Sequence, residues 1–104
     1  MAQLDVYANP VARQRRERPY LLEVQADLLG AMVTTVVVPL VDAAALPMGF
    51  DRLTPLFEID GVQVRCSVTE IFSLPRIALG PALFNLHSER QKVIAALDHL
   101  ISGF

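Results

Sequence analysis

The sequence predicts an α+β fold: an antiparallel β-sheet curled toward a small barrel, followed by one C-terminal helix. Three observations predict it. Short β-branched or alternating stretches, punctuated by Pro and Gly, fill residues 3–79, and helical spacing appears only in residues 85–104. Asp60-Gly61 sits between two such stretches, where a tight hairpin turn demands positive φ. The 104 residues are 53% hydrophobic and 19% charged, enough for one domain spanning residues 1–104 with a single core.

Residues 3–7 (QLDVY) alternate apolar and polar side chains, as a half-buried first strand does, and Asn9-Pro10 ends it. Residues 11–18 carry Arg13, Arg15, Arg16 and Arg18 against Glu17 alone, show no apolar period and read as a loop. A solvated turn accounts for such a segment; a positive patch that attracts an acidic partner is the functional alternative. Residues 19–25 (PYLLEVQ) resume the alternation, with Pro19 at the start, where a strand needs no ladder donor. Residues 26–30 (ADLLG) form a turn or bulge whose Leu28 and Leu29 either face water as a contact site or fold into the core.

Residues 33–40 (VTTVVVPL) are the most β-branched stretch, and so continuous an apolar run marks a central strand covered on both faces. Residues 41–50, Ala-rich and broken by Pro47 and Gly49, read as a short turn or edge piece. Residues 56–59 and 62–68 are the arms of the hairpin around Asp60-Gly61. Residues 69–75 (TEIFSLP) read as a short helical turn stopped by Pro75, and residues 76–79 as a last short strand before Gly80-Pro81. In residues 85–104 (NLHSERQKVIAALDHLISGF), Ser88 and Gln91 have capping-box spacing. Val93, Leu97, Leu100 and Phe104 form one stripe, widened by Ile94 and Ile101. Gly103 supplies the residue that turns left-handed past a helix end. The expected result is a stiff, exposed helix tip.

A mean hydropathy of +0.41 is high for so small a chain, and the area that one core cannot hold is expected in a homo-oligomer interface. A net charge of -2 argues against binding nucleic acid directly through its phosphates. One Cys leaves no internal disulfide and fits a reducing cytoplasm. No signal peptide is visible at the start, and the apolar runs fall short of the ~20 residues that span a bilayer. The expected setting is soluble and cytoplasmic, without a membrane partner.

Sites for chemistry are sparse. His87, His99 and Cys66 share no metal-ligand spacing, so no metal is expected; Cys66 reads as a buried thiol and the histidines as surface residues. The five glycines are scattered, with no phosphate loop, and the acids Asp27, Glu58, Glu70 and Asp98 fall on separate elements. No cofactor and no catalytic group is expected. Composition and spacing alone reach a small β-rich binding module.

Residues 20–29 (YLLEVQADLL), then VVPL at 37–40, LTPLFEI at 53–59, SLP at 73–75 and the closing LISGF at 100–104 together resemble the CcdB family of toxins, in order and over nearly the whole chain. The resemblance implies a homodimer with an SH3-like barrel, of the type shared by CcdB and MazF toxins, and a C-terminal helix. It implies a protein that is no enzyme: it binds the A subunit of DNA gyrase and traps the cleaved DNA complex. A cognate antitoxin with a disordered C-terminal segment removes it. The family's gyrase-contacting positions fall here on Leu28, Leu29, Asp98, Ile101, Ser102, Gly103 and Phe104, with Ile101 equally placed for the dimer core. Arg13, Arg15, Arg16 and Arg18 are the expected antitoxin-binding residues. Ser102 stands where the best-studied members have a tryptophan that stacks on a gyrase arginine, a contact worth roughly 0.5–2 kcal/mol.

Two other readings remain at this stage. The barrel and the Arg18-Pro19 and 38–40 (VPL) segments also resemble MazF-type ribonucleases, with Arg18 as the catalytic arginine; Val41 and Asp42 stand where that family places a hydroxyl residue. A diverged, non-toxic module that only binds an antitoxin is the other.

Overall fold

The computed structural model describes residues 2–29, 31–46 and 52–103, with Leu28 described by its backbone alone. Among the described residues, seven strands make one antiparallel sheet: β1 (Asp5–Ala8), β2 (Tyr20–Glu23), β3 (Thr34–Asp42), β4 (Leu56–Ile59), β5 (Val62–Cys66), β6 (Phe72–Pro75) and β7 (Phe84–Asn85). Their order is β4-β5-β3-β2-β1-β7, with β6 alongside the first part of β3, and the sheet curls into a half-barrel. One helix, α1 (Arg90–Ser102), follows. Val6, Leu22, Val38, Leu40, Val64, Cys66 and Val93 are wholly shielded and form the centre of the core. Each of the valines and leucines contributes about 1.5–3 kcal/mol by leaving water.

The early strands fall where the alternation places them, and β3 is the spine of the sheet. It is longer than expected, running on through Asp42, so only residues 43–46 of the predicted turn lie outside it; residues 47–50 fall outside the described residues. The first part of β3 pairs with β6 (Thr35 opposite Leu74, Val37 opposite Phe72) and the last with β5 (Val41 opposite Arg65). Pro39 stands at the handover. The pairing register directs its nitrogen toward β5 and β6, so the ladder lacks a donor there. Its carbonyl still accepts from Ser67 N–H at 3.0 Å, but the Ser67 carbonyl turns to Glu70 N–H instead. The chain therefore leaves the sheet after Cys66 and makes a 3₁₀ turn at Val68–Glu70, rather than continuing as strand to residue 68.

Two further expectations need correction. Residues 72–75 are not the end of a helical turn but strand β6. Pro75 fits there because its ring nitrogen faces the open side of β6, where β3 requires no donor. Residues 76–79 are not a strand: Arg76–Ala78 make a 3₁₀ turn, because Arg76 N–H bonds the Val33 carbonyl and its guanidinium is drawn inward to Glu23. The last strand is β7, edge-on to Tyr20 through Phe84, with ring centroids 6.1 Å apart.

The hairpin is as expected. Asp60 and Gly61 both have positive φ, 51° and 80°, the geometry of the tight primed turn that matches strand twist.

Candidate functional site

Helix α1 is anchored at one end only. Val93 and Ala96 are buried against the sheet, Ile94 and Leu97 are half-buried, and Lys92 Nζ lies 5.9 Å above the Phe57 ring. Beyond Leu97 the apolar stripe runs out of core, and Ile101 is 84% exposed. The helix ends as the sequence predicts: Gly103, at φ 78°, donates its N–H to the His99 carbonyl. Its beginning differs. The expected capping box of Ser88 and Gln91 is absent; a 3₁₀ turn at His87–Glu89 leads into the helix, with Asn85 Oδ1 accepting from His87 N–H at 2.8 Å. Buried Leu86, bonded to the Leu4 carbonyl, pulls the chain inward there, so Ser88 falls inside the turn instead of at the cap.

The helix tip thus presents Asp98, Ile101, Ser102 and Gly103 to solvent. Ser102 Oγ donates to the Asp98 carbonyl at 2.6 Å, which turns the hydroxyl back along the helix. Phe104 lies outside the described residues.

Leu29 ends a 3₁₀ turn at Asp27–Leu29 and is 45% exposed, so it faces water; the Leu28 side chain lies outside the described residues. The turn is pinned from several sides. Asp27 Oδ1 accepts from Gln3 N–H, Gln25 Nε2 reaches the Leu29 carbonyl, and the Leu29 carbonyl also accepts from Met32 N–H. Val33 and Ile77 are 81% and 91% exposed, and Arg76, next to Ile77 in the chain, donates its N–H to the Val33 carbonyl. No hydrogen bond, ion pair or ring contact among the described residues joins Leu29 to the helix tip.

Arg76 holds this region to the body of the fold. Its Nε donates to the Met32 carbonyl and its Nη1 to Glu23 Oε2, 2.9 Å away. Glu23 is buried in β2 and also accepts from Thr35 Oγ1 (2.6 Å) and Tyr7 OH (3.0 Å). Burial, together with the Glu23 charge, pushes the Tyr7 phenol well above its ordinary range. Sequence reading missed this network, because four residues on separate elements leave no local signal.

Residues 11–18 are a loop between β1 and β2, as expected, built from a 3₁₀ turn at Ala12–Gln14 and a further turn. Arg13, Arg15 and Arg16 are exposed, with no carboxylate of the described residues in ion-pair range. Arg18 differs: its Nη2 is 2.7 Å from Glu70 Oε1 and its Nη1 is 3.4 Å from Glu17 Oε2. The hydrogen bond to Glu70 raises its pKa and holds it charged. A ribonuclease site fares poorly here. Val41 is buried and apolar, and Asp42 Oδ1 accepts from Ala44 N–H, so neither supplies the expected hydroxyl.

Cys66 is fully buried in β5, and burial pushes its thiol up to about 12, so it stays a protonated core group. No helix among the described residues is long and apolar enough to cross a membrane.

Comparison with known proteins gives one result at the level of families: the family model described as CcdB protein matches residues 3–103. No curated protein matches the chain.

Proposed function

The chain belongs to the CcdB family, and from that premise we propose that it is the toxin of a toxin–antitoxin pair. It binds the A subunit of DNA gyrase as a homodimer, traps the cleaved DNA complex and does no covalent chemistry itself. A cognate antitoxin with a disordered, acidic segment neutralises it. The observation that carries this reading is the helix tip: an apolar side chain, Ile101, held out in water at 84% exposure on a helix anchored by Val93 and Ala96. A preorganised helix end loses little entropy on docking, so such a projection suits a wedge. The exposed apolar surface of Val33 and Ile77 supports self-association.

The contact set is Leu28, Leu29, Asp98, Ile101, Ser102, Gly103 and Phe104 on the gyrase side, and Arg13, Arg15, Arg16 and Arg18 on the antitoxin side. Ser102 offers no ring, so the apolar contribution at the tip falls to Ile101 and Phe104. Expression in two strains, one with ordinary gyrase and one with a toxin-resistant A subunit, tests the reading. Growth arrest in the first strain only, with cleaved DNA accumulating in a gyrase assay, is the expected result. Arrest in both strains, or cleavage of total RNA by pure protein, overturns it.

A further inference from the structure

Three surface concavities, of about 210, 290 and 290 Å³, have Arg18 in their walls. The first runs past Leu46 and Thr69, the second between Arg13 and Arg16, and the third past Pro39 and Phe72. All three share the Arg18 side chain as a wall, so the concave surface here is arranged around that residue. Glu70 lines two of the three and closes onto that arginine. We propose that the Arg18–Glu70 ion pair is an exchangeable latch in a groove that takes an extended acidic peptide. A carboxylate of the incoming chain replaces Glu70 on Arg18, so Glu70 competes with the partner and sets its affinity. The inference rests on the reading of residues 11–18 as the surface that meets an acidic antitoxin segment.

Exposure separates a latch from a fixed pair. The Arg18 and Glu70 side chains are 33% and 37% exposed, so water and salt weaken their attraction and exchange for another carboxylate is nearly neutral. The Arg76–Glu23 pair, at 15% and 3%, has no such freedom. Glu70 is also held at short range: its N–H bonds the Ser67 carbonyl that Pro39 leaves unpaired, so the carboxylate stays near Arg18 when displaced. Charge selects the occupant. Arg13 and Arg16 lie along the groove with no carboxylate of the described residues paired to them, whereas Glu17 and Glu70 on the same walls would repel a continuous phosphate backbone. A peptide can set its carboxylates against the arginines and apolar side chains against Phe72.

The test measures fluorescence anisotropy at low salt with a labelled peptide of repeated Glu-Val-Ser units, on folded full-length protein checked by circular dichroism. Wild type is expected to bind, and Glu70→Gln to bind up to about fivefold tighter. Glu58→Gln, which removes an equal charge from an exposed position on β4, should change little. Arg18→Gln should weaken binding and cancel the gain in the double variant. If wild type binds but Glu70→Gln gains no more than Glu58→Gln, the latch is overturned while the acidic-partner reading stands. If neither wild type nor any variant binds, both fall. Tighter binding of an oligouridylate than of the peptide assigns the groove to nucleic acid and overturns the proposal.

Discussion

Arg76 Nη1 and Thr35 Oγ1 meet on one oxygen of Glu23, at 2.9 and 2.6 Å. This carboxylate, almost wholly shielded from water, ties β2, β3 and the turn after β6 to one point, and Tyr7 on its other oxygen adds β1. A buried charge is tolerable only while its partners are complete.

Arg76→Met removes the cation and leaves the carboxylate. We expect a loss of about 3–5 kcal/mol in urea unfolding, because the remaining charge is uncompensated. Adding Glu23→Gln to that variant should recover part of the loss, since the amide still meets Thr35 and Tyr7 without a charge. A double variant no more stable than the single one would show that the ion pair is not the source of the effect.

Ile101→Asp should separate toxicity from folding. The side chain is almost fully solvated, so stability should change by no more than about 0.5 kcal/mol. Growth inhibition should disappear. Removal of Gly103 and Phe104 should likewise abolish arrest with the fold intact by circular dichroism, and continued arrest would exclude the tip as the effector surface.

Simultaneous Arg13→Ala, Arg15→Ala and Arg16→Ala should weaken antitoxin binding at low salt, with a smaller difference at high salt as screening removes the attraction. Titration calorimetry at two ionic strengths reads both. Unchanged affinity at low salt takes these arginines out of the interface.

Alkali should unfold the protein through Cys66. Its thiol is raised in the folded state, from 9.0 to about 12, so the folded state holds the proton more tightly. The associated stability is complete below the unfolded thiol's value and is lost as pH rises from about 9 toward about 12, at no more than about 1.4 kcal/mol per pH unit. Tyr7, also raised, steepens the fall above its ordinary value of 10.0. Chemical denaturation across this range should show a shallower decline for Cys66→Val, and identical curves would exclude the thiol.

Gly61→Ala should cost about 1 kcal/mol, since the position has φ 80° but open space around the missing Cβ. The penalty is backbone strain alone, so Gly61→Asn should cost less in thermal unfolding.

Local signals carried the reading where local physics decides. The Asp60-Gly61 hairpin, the β-branched run of β3 and the Gly103 cap each follow from residues adjacent in the chain. The misses came from prolines and from distance. Pro75 reads as a stop in isolation, but in an edge strand its missing donor faces nothing. Arg76 was placed in a strand because its pull toward Glu23 spans 53 residues. Leu29, whose side the sequence leaves open, is exposed, as are Ile101 and Ser102, whereas Glu70 on Arg18, 52 residues away, has no signature in sequence.

The handover at Pro39 has a mechanical meaning. Two leaves of sheet, one ending in β6 and the other in β5 and β4, hang from the same backbone rod, and no ladder bond stitches them to each other at the seam. Bending at that seam changes the angle between the leaves without breaking either one. A residue that restored the missing donor would stiffen the joint and flatten the curl of the sheet.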